Sequence, residues 1–364
     1  MLHLRILAPA DRAERALELL DGTPSVCNIV VLPGAAHRPQ GDVILCDVAR
    51  EDVSVIISDL RELDIPTEGS IAIEAVDTEI SDAAQAAEGA AHGSAADGVV
   101  WEEVEARTSE EAELSLTFLA FMGLAAIIAS VGIFLNTPIL IVGAMVVGPE
   151  FGPIAGLCVA IVQRRRELAV RSLIPLVIGF PFAITAAWLA TLAFKATSLT
   201  PEQFTSADHQ LSNVIASPDW FAFIVAFCAG MAGVLSLTSA KSGALIGVLI
   251  SVTTIPAAAN VGVAFAYQDW PAWRGSQEQL LVNLGAILLA GVLTLSVQRW
   301  AYRRRRVRHL RDPVRRTAGL PVGRSRHPRH GAKRHGAPGG SSGGVPGGSS
   351  DGARTGLETE RRRA

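Results

Sequence analysis

Charge is scarce in this sequence. Asp, Glu, Lys and Arg make up only 18% of its 364 residues against 49% hydrophobic, with a mean hydropathy of +0.33. That balance is too apolar for an ordinary soluble chain of this length and assigns the excess to a lipid bilayer. Cysteine is also sparse. Cys27, Cys46, Cys158 and Cys228 contain no C-x-x-C pair and two lie in apolar segments, which argues against a zinc site or a disulfide scaffold and fits a reducing compartment. The opening residues Met1 to Ile6 hold no long apolar stretch and no small-residue cleavage site, so no cleaved signal is expected. H-E-x-x-H, G-x-S-x-G and a paired intramembrane Asp motif are missing as well. An enzyme is therefore not expected, and neither is a metal, a cofactor or a specific nucleic-acid partner.

What charge there is falls unevenly. The net charge of -3 hides acidic residues crowded before Leu114 and arginines crowded after Gln298. Residues 1–77 alternate short elements: strand His3 to Ala8, helix Asp11 to Leu20, strands Ser25 to Leu32 and Asp42 to Val48, helix Glu51 to Leu63, strand Ser70 to Val76. Ala13, Ala16, Leu17, Leu20 and Val53, Ile56, Ile57, Leu60 recur at helical spacing behind acidic first turns. A βαββαβ order predicts a ferredoxin-like α+β sandwich, one sheet covered by two helices. Cys27 and Cys46 face each other if the second and third strands form a hairpin; small apolar core residues is the competing reading.

Residues 78–113 read as an acidic linker. Thr78 to Val99 is rich in Ala, Gly, Ser and acid, with too little apolar surface to offset the entropy of ordering it. An acidic amphipathic run then begins at Trp101 and ends in Thr108-Ser109-Glu110-Glu111, a capping-box pattern ahead of the first apolar segment.

Residues 114–300 contain six apolar stretches, each near the roughly 20 residues that cross a bilayer. They are Leu114 to Leu135, Pro138 to Val162, Ser172 to Ala196, Trp220 to Thr238, Ser242 to Tyr267 and Leu280 to Arg299. Arg164, Arg165, Arg166 and Arg171 follow the second stretch and Arg303 to Arg306 the sixth; both groups belong on the cytoplasmic side. An even number of spans then puts both termini there, with Trp220, Trp270 and Trp273 at the outer interface and Trp300 and Tyr302 at the inner one. Residues 301–364 run into Arg, His, Gly, Pro and Ser and read as a disordered basic tail.

The second apolar stretch carries Gly148-Pro149-Glu150-Phe151-Gly152-Pro153, where two prolines should break the helix. Glu150 is its sharpest point. An ionised carboxylate inside a bilayer costs several kcal/mol and is kept for a pathway, a proton relay or a counter-ion, unless it is merely paired structurally near an interface. The fifth stretch repeats the theme with Gly247, Thr253, Thr254, Pro256 and Asn260, so spans one to three and four to six read as inverted repeats carrying matching broken helices. The competing readings are close helix packing for Gly148, Gly152 and Gly156, and self-bonding for the threonines. Asn136 reads as a turn or cap, and Asn283 as an interhelical hydrogen-bonding residue.

The run Ile141 to Pro149 with Gly152-Pro153-Ile154, preceded by Asn136 and followed by the basic loop, resembles the hallmark of domain of unknown function 389, a bacterial hydrophobic membrane family. The resemblance covers Leu114 to about Arg299. It implies a multi-spanning inner-membrane protein with an N-terminal α+β domain, and no established substrate. Glu150, where many members carry an apolar residue, and the single Pro256, where a Pro-Pro pair is frequent, depart from the commoner pattern.

These features together predict a channel or transporter for a small solute or ion. Its pathway candidates are Gly148, Pro149, Glu150, Gly152, Pro153, Thr253, Thr254, Pro256 and Asn260. The soluble domain is expected to regulate the bundle or assemble it into a homo-oligomer. The rival reading is a membrane-anchored sensor or scaffold whose soluble domain binds a ligand or partner.

Overall fold

Strict alternation in Leu2, Leu4, Ile6 and Ala8 puts those four side chains on one face of the first strand, and all four are buried. The computed structural model describes residues 1–76, 78–91, 98–200, 203–205, 209–239 and 246–325, with 246–253 described as backbone alone. The chain opens with β1 (Leu2–Ala8), α1 (Ala10–Asp21), β2 (Val26–His37), β3 (Gln40–Val48), α2 (Val53–Glu62), the single turn α3 (Ile65–Glu68) and β4 (Ser70–Ala75). The four strands form an antiparallel sheet in the order β2-β3-β1-β4. Leu4 pairs with Cys46 and Ile6 with Ile44, and this apolar face packs on Ala16 and Leu20 of α1 and on Ile56 and Leu60 of α2.

The register separates the two N-terminal cysteines. Cys27 pairs with Asp47, one rung from Cys46, whose thiol is buried in the core; both are free, and burial pushes the Cys46 thiol up to about 12. The facing pair that one register would have allowed does not form, because neighbouring strand residues point to opposite faces.

The expected linker is partly helical. Ser81 accepts a hydrogen bond from the amide of Ala84 and opens α4 (Asp82–Ala90), whose Ala84 and Ala87 are buried. α5 (Trp101–Glu111) follows as the amphipathic run expected there. The capping box is not used: Thr108 lies inside α5 and donates back to the Val104 carbonyl, while Ser115 accepts from the amide of Phe118 and starts the next helix. Alanine needs little apolar surface to order once a neighbour covers it, which composition alone does not register.

The apolar region folds into α6 (Leu116–Phe134), α7 (Pro138–Val147), α8 (Phe151–Gln163), α9 (Arg166–Ala196), α10 (Gln210–Ile215), α11 (Trp220–Thr238), α12 (Ile246–Ala266) and α13 (Trp270–His309). Four of them, α6, α9, α11 and α13, are long and apolar enough to cross a membrane, and α7 with α8, bent by 57°, makes a fifth if the pair is one span. Among the described residues the count is four or five, and the expected fifth stretch contributes only the shorter apolar helix Thr254–Ala266, since the side chains of 246–253 lie outside the described residues. That helix is central. From Thr254 to Ala264 every residue is buried, and a Cβ at Gly262 would stand 2.6 Å from the Ile184 carbonyl oxygen of α9.

α13 spans 40 residues, about 60 Å at 1.5 Å per residue, twice the hydrocarbon thickness. It carries the chain straight out of the bundle to His309, and α14 (Val314–Thr317) follows. A disordered tail beginning at residue 301 is therefore not what is found. Val314, Ala318 and Leu320 pack into the core of the N-terminal sheet, and Arg15 donates to the carbonyls of Ala318 and Gly319. Residues 326–364 lie outside the described residues.

Candidate functional site

Gly148 ends α7 with an extended backbone, ψ 125°, and Pro149 has no N–H to continue the ladder. Glu150 opens α8, accepting the first helical bond from the amide of Ile154. Pro153 falls in the first turn of α8, where backbone amides have no helical acceptor, so its missing donor costs little. The two prolines thus play different parts: one ends a helix, the other sits in the opening turn of the next.

The Glu150 side chain is completely buried at this break. Thr254 of α12 donates to its Oε1 at 2.7 Å. Pro256, two residues on, lies inside a helix that stays continuous through it. The expected matching break in α12 does not occur among the described residues; one missing donor inside a fully packed helix is tolerated where Gly-Pro after a short helix is not. The side chain of Thr253 lies outside the described residues.

About 9 Å further along α12, six residues at 1.5 Å each, Asn260 joins three elements. Its Nδ2 donates to Ser276 Oγ of α13 at 2.8 Å, and its Oδ1 accepts from Ser212 of α10 at 2.8 Å. All three side chains are buried. One turn along α13 from Ser276, Gln279 donates to Asn283 at 2.8 Å within the same helix. Ser212 and Ser276 were not legible as site residues: they are common polar residues, and only the fold gathers them on Asn260; nor was Gln279, which bonds Asn283 instead. Asn136 sits in the turn that ends α6. Its backbone is left-handed, φ 49°, and its Oδ1 accepts from the amide of Leu211 at the start of α10.

The glycine stripe meets the amphipathic helix. A Cβ on Gly152 would lie 2.6 Å from Glu111 Cβ, and one on Gly156 would lie 2.5 Å from Ser172 Oγ and 3.3 Å from the Thr108 carbonyl oxygen. α5 is therefore pressed against α8 along those glycines. Burial raises the Glu111 carboxyl above its ordinary value. The basic loop reaches the same acidic segment, with Arg165 ion-paired to Glu105 and Arg171 to Glu113 at 2.5 Å.

A second buried polar cluster ties the N-terminal domain to the end of the described chain. Asp59 and Glu62 of α2 meet Arg306, His309 and Arg315. Arg306 and Arg315 both pair with Asp59, Glu62 lies 2.7 Å from each arginine, and His309 Nε2 is 2.8 Å from Asp59 Oδ2. Burial alone would raise the Asp59 carboxyl; the hydrogen bond to His309 and the charges of Arg306, His309 and Arg315 outweigh it and hold the group below its usual value. Faint signals existed, since Asp59 and Glu62 interrupt an apolar helix three residues apart and Arg306 and His309 share that spacing. A run of arginines is nevertheless read first as solvated.

Apolar helices of spanning length packed around buried polar contacts define the class as a helical protein suited to a bilayer. Residues 145–289 match the family model described as domain of unknown function (DUF389), the family whose motif Ile141 to Pro149 resembles. That match takes in Glu150, Thr254 and Asn260. The chain is 27% identical over 207 residues to the uncharacterized protein MJ0678 of Methanocaldococcus jannaschii, covering 56% of this chain and 62% of that one. No solved structure matches.

Proposed function

We propose that the helical bundle is a channel or transporter that passes a small solute or ion by way of Glu150. In this reading the bundle is two inverted three-helix repeats, the N-terminal sheet is a ferredoxin-like regulatory domain, and the protein works as a homo-oligomer in a cell membrane with both termini cytoplasmic. No catalytic step is involved. The observation that carries the reading is a fully buried carboxylate at a helix break, hydrogen-bonded by Thr254 of the central helix. An ionisable group inside an apolar bundle is expensive and is usually kept for passage or proton relay. Broken helices place half-helix ends where a solute or ion can be held. The Asn260 cluster continues the polar line along the same helix.

The test is flux of ions, small solutes and protons in proteoliposomes, wild type against Glu150→Gln, at two pH values. Flux that is lost or becomes insensitive to pH in the variant supports the pathway. Absence of flux for every solute, with both proteins folded, favours the rival: a membrane-anchored sensor or scaffold whose soluble domain binds a ligand or partner.

A further inference from the structure

A cavity of about 280 Å³ lies where the N-terminal domain meets the end of α13. One wall is the loop after α1, with Thr23 and Ser25, and the first turn of α2 at Asp52; the other is the helix face carrying Arg305, Arg308 and His309, continued by Asp312. Spacings of three and four residues put Arg305, Arg308 and His309 on one stripe of α13, and Asp312 follows in the turn after it. The cavity is distinct from the Glu150 break and from the Asp59–Glu62 cluster, touching the latter only through His309, whose Nε2 is held by Asp59.

Two features mark this cavity as built for a ligand. Ser25 is 3% exposed, and its hydroxyl has no hydrogen-bond partner among the described residues although it lines the cavity. A buried hydroxyl left in that state is costly unless something else bonds it. The second feature is the arrangement of charge. Arg305 and Arg308 face Asp52 and Asp312 around one small volume, yet among the described residues neither arginine is ion-paired with either aspartate. Asp312 spends one oxygen on the amide of Val314, 3.0 Å away, and keeps the other. The two guanidinium groups offset the two carboxylates, and His309 in the same wall is already paired with Asp59 behind it, so the lining suits neither a bare anion nor a bare cation.

We propose that this cavity binds a small zwitterion, a free amino acid. Its carboxylate lies on Arg305 and Arg308, which present planar donor pairs matched to a carboxylate. Its ammonium group lies on Asp52 and Asp312, and the Ser25 hydroxyl donates to the ligand. Because one wall belongs to the sheet domain and the other to the helix that leaves the bundle, occupancy fastens the two together. This goes beyond the transport reading and does not depend on it, since binding is measured without flux.

The experiment is isothermal titration and thermal unfolding of the full-length protein in lipid-free detergent micelles. The probes are the common amino acids, inorganic phosphate, acetate, methylamine and phosphorylethanolamine. The expected result is saturable binding of at least one amino acid with a rise in the unfolding midpoint, and no effect of phosphate, acetate or methylamine. Arg305→Gln with Arg308→Gln should weaken that amino acid at least tenfold, and Asp52→Asn, which preserves shape, should do so independently. The proposal is overturned if no amino acid binds, if phosphate or phosphorylethanolamine binds in its place, or if affinity survives both the double Arg variant and Asp52→Asn.

Discussion

Nη2 of Arg315 stands 2.7 Å from Oε2 of Glu62, a contact across 253 residues of sequence between two side chains almost sealed from solvent. With Asp59, Arg306 and His309 it fastens the segment after the last long helix to the first domain. Burying so much charge stabilises only when every partner is present, because removing one leaves the others desolvated and uncompensated.

Arg315→Ala should therefore lower the unfolding free energy of the purified protein by about 3–5 kcal/mol. Glu62→Gln combined with Arg315→Met, which removes both ends of one pair, should cost less than the sum of the single variants. Denaturant unfolding of the singles and the double reads this. Strict additivity would mean that the two side chains are not coupled.

The same cluster sets a pH dependence. The folded Asp59 carboxyl lies below its unfolded value, so its stabilisation is fully present above the unfolded range near about pH 4 and fades as pH falls through the lower folded value. Hydrogen exchange at the Leu320 amide, which donates to the Arg315 carbonyl at 2.7 Å, should stay protected at about pH 6 and lose protection below about pH 4. Protection unchanged to the acid limit would remove Asp59 from the account.

The glycines of the second apolar stretch should separate by substitution. At Gly152 a methyl group would meet Glu111 Cβ at 2.6 Å and its carbonyl oxygen at 3.0 Å, whereas nothing lies within 4 Å of one at Gly143. Gly152→Ala should destabilise by about 1–3 kcal/mol through overpacking. Gly143→Ala should be neutral or stabilising by up to about 1 kcal/mol through helix propensity. Thermal unfolding in one detergent compares them, and equal shifts would contradict the close approach of α5.

Asn260→Leu keeps the bulk of the side chain and removes the bonds that Ser212 and Ser276 make to Asn260. The expected loss is about 1–3 kcal/mol. Ser212→Ala placed on Asn260→Leu should then cost less than Ser212→Ala alone, since the bond to Asn260 is already gone. A full additional loss in the double variant would show that Ser212 acts through other contacts.

Thr254→Val removes the donor to Glu150 without changing shape. In the flux assay it should shift the pH response in the same sense as Glu150→Gln but by less, because the carboxylate remains. A response identical to wild type would show that Thr254 does not tune the site.

The local elements were legible because each is written in short-range pattern. Period-two alternation marks Leu2 to Ala8, helical spacing marks α1 and α2, and Gly148-Pro149 marks the broken helix at its true place. Pro256 read as a second break and is not one, since what proline does to a helix depends on how closely its neighbours pack. The glycine stripe announced a close approach and could not name α5 as the partner.

Composition and local pattern alone established a chain rich in apolar helices, the order of its N-terminal strands and helices, and a carboxylate at a helix break. Those depend on residues within a few positions of one another, where sterics and hydrogen bonding leave few choices. Tertiary structure alone decided that Thr254 meets Glu150, that Ser212 and Ser276 gather on Asn260, and that basic residues after the last span lock onto Asp59 and Glu62. Such meetings are set by which apolar faces bury one another across 16 to 256 residues of chain, and no local pattern carries that distance.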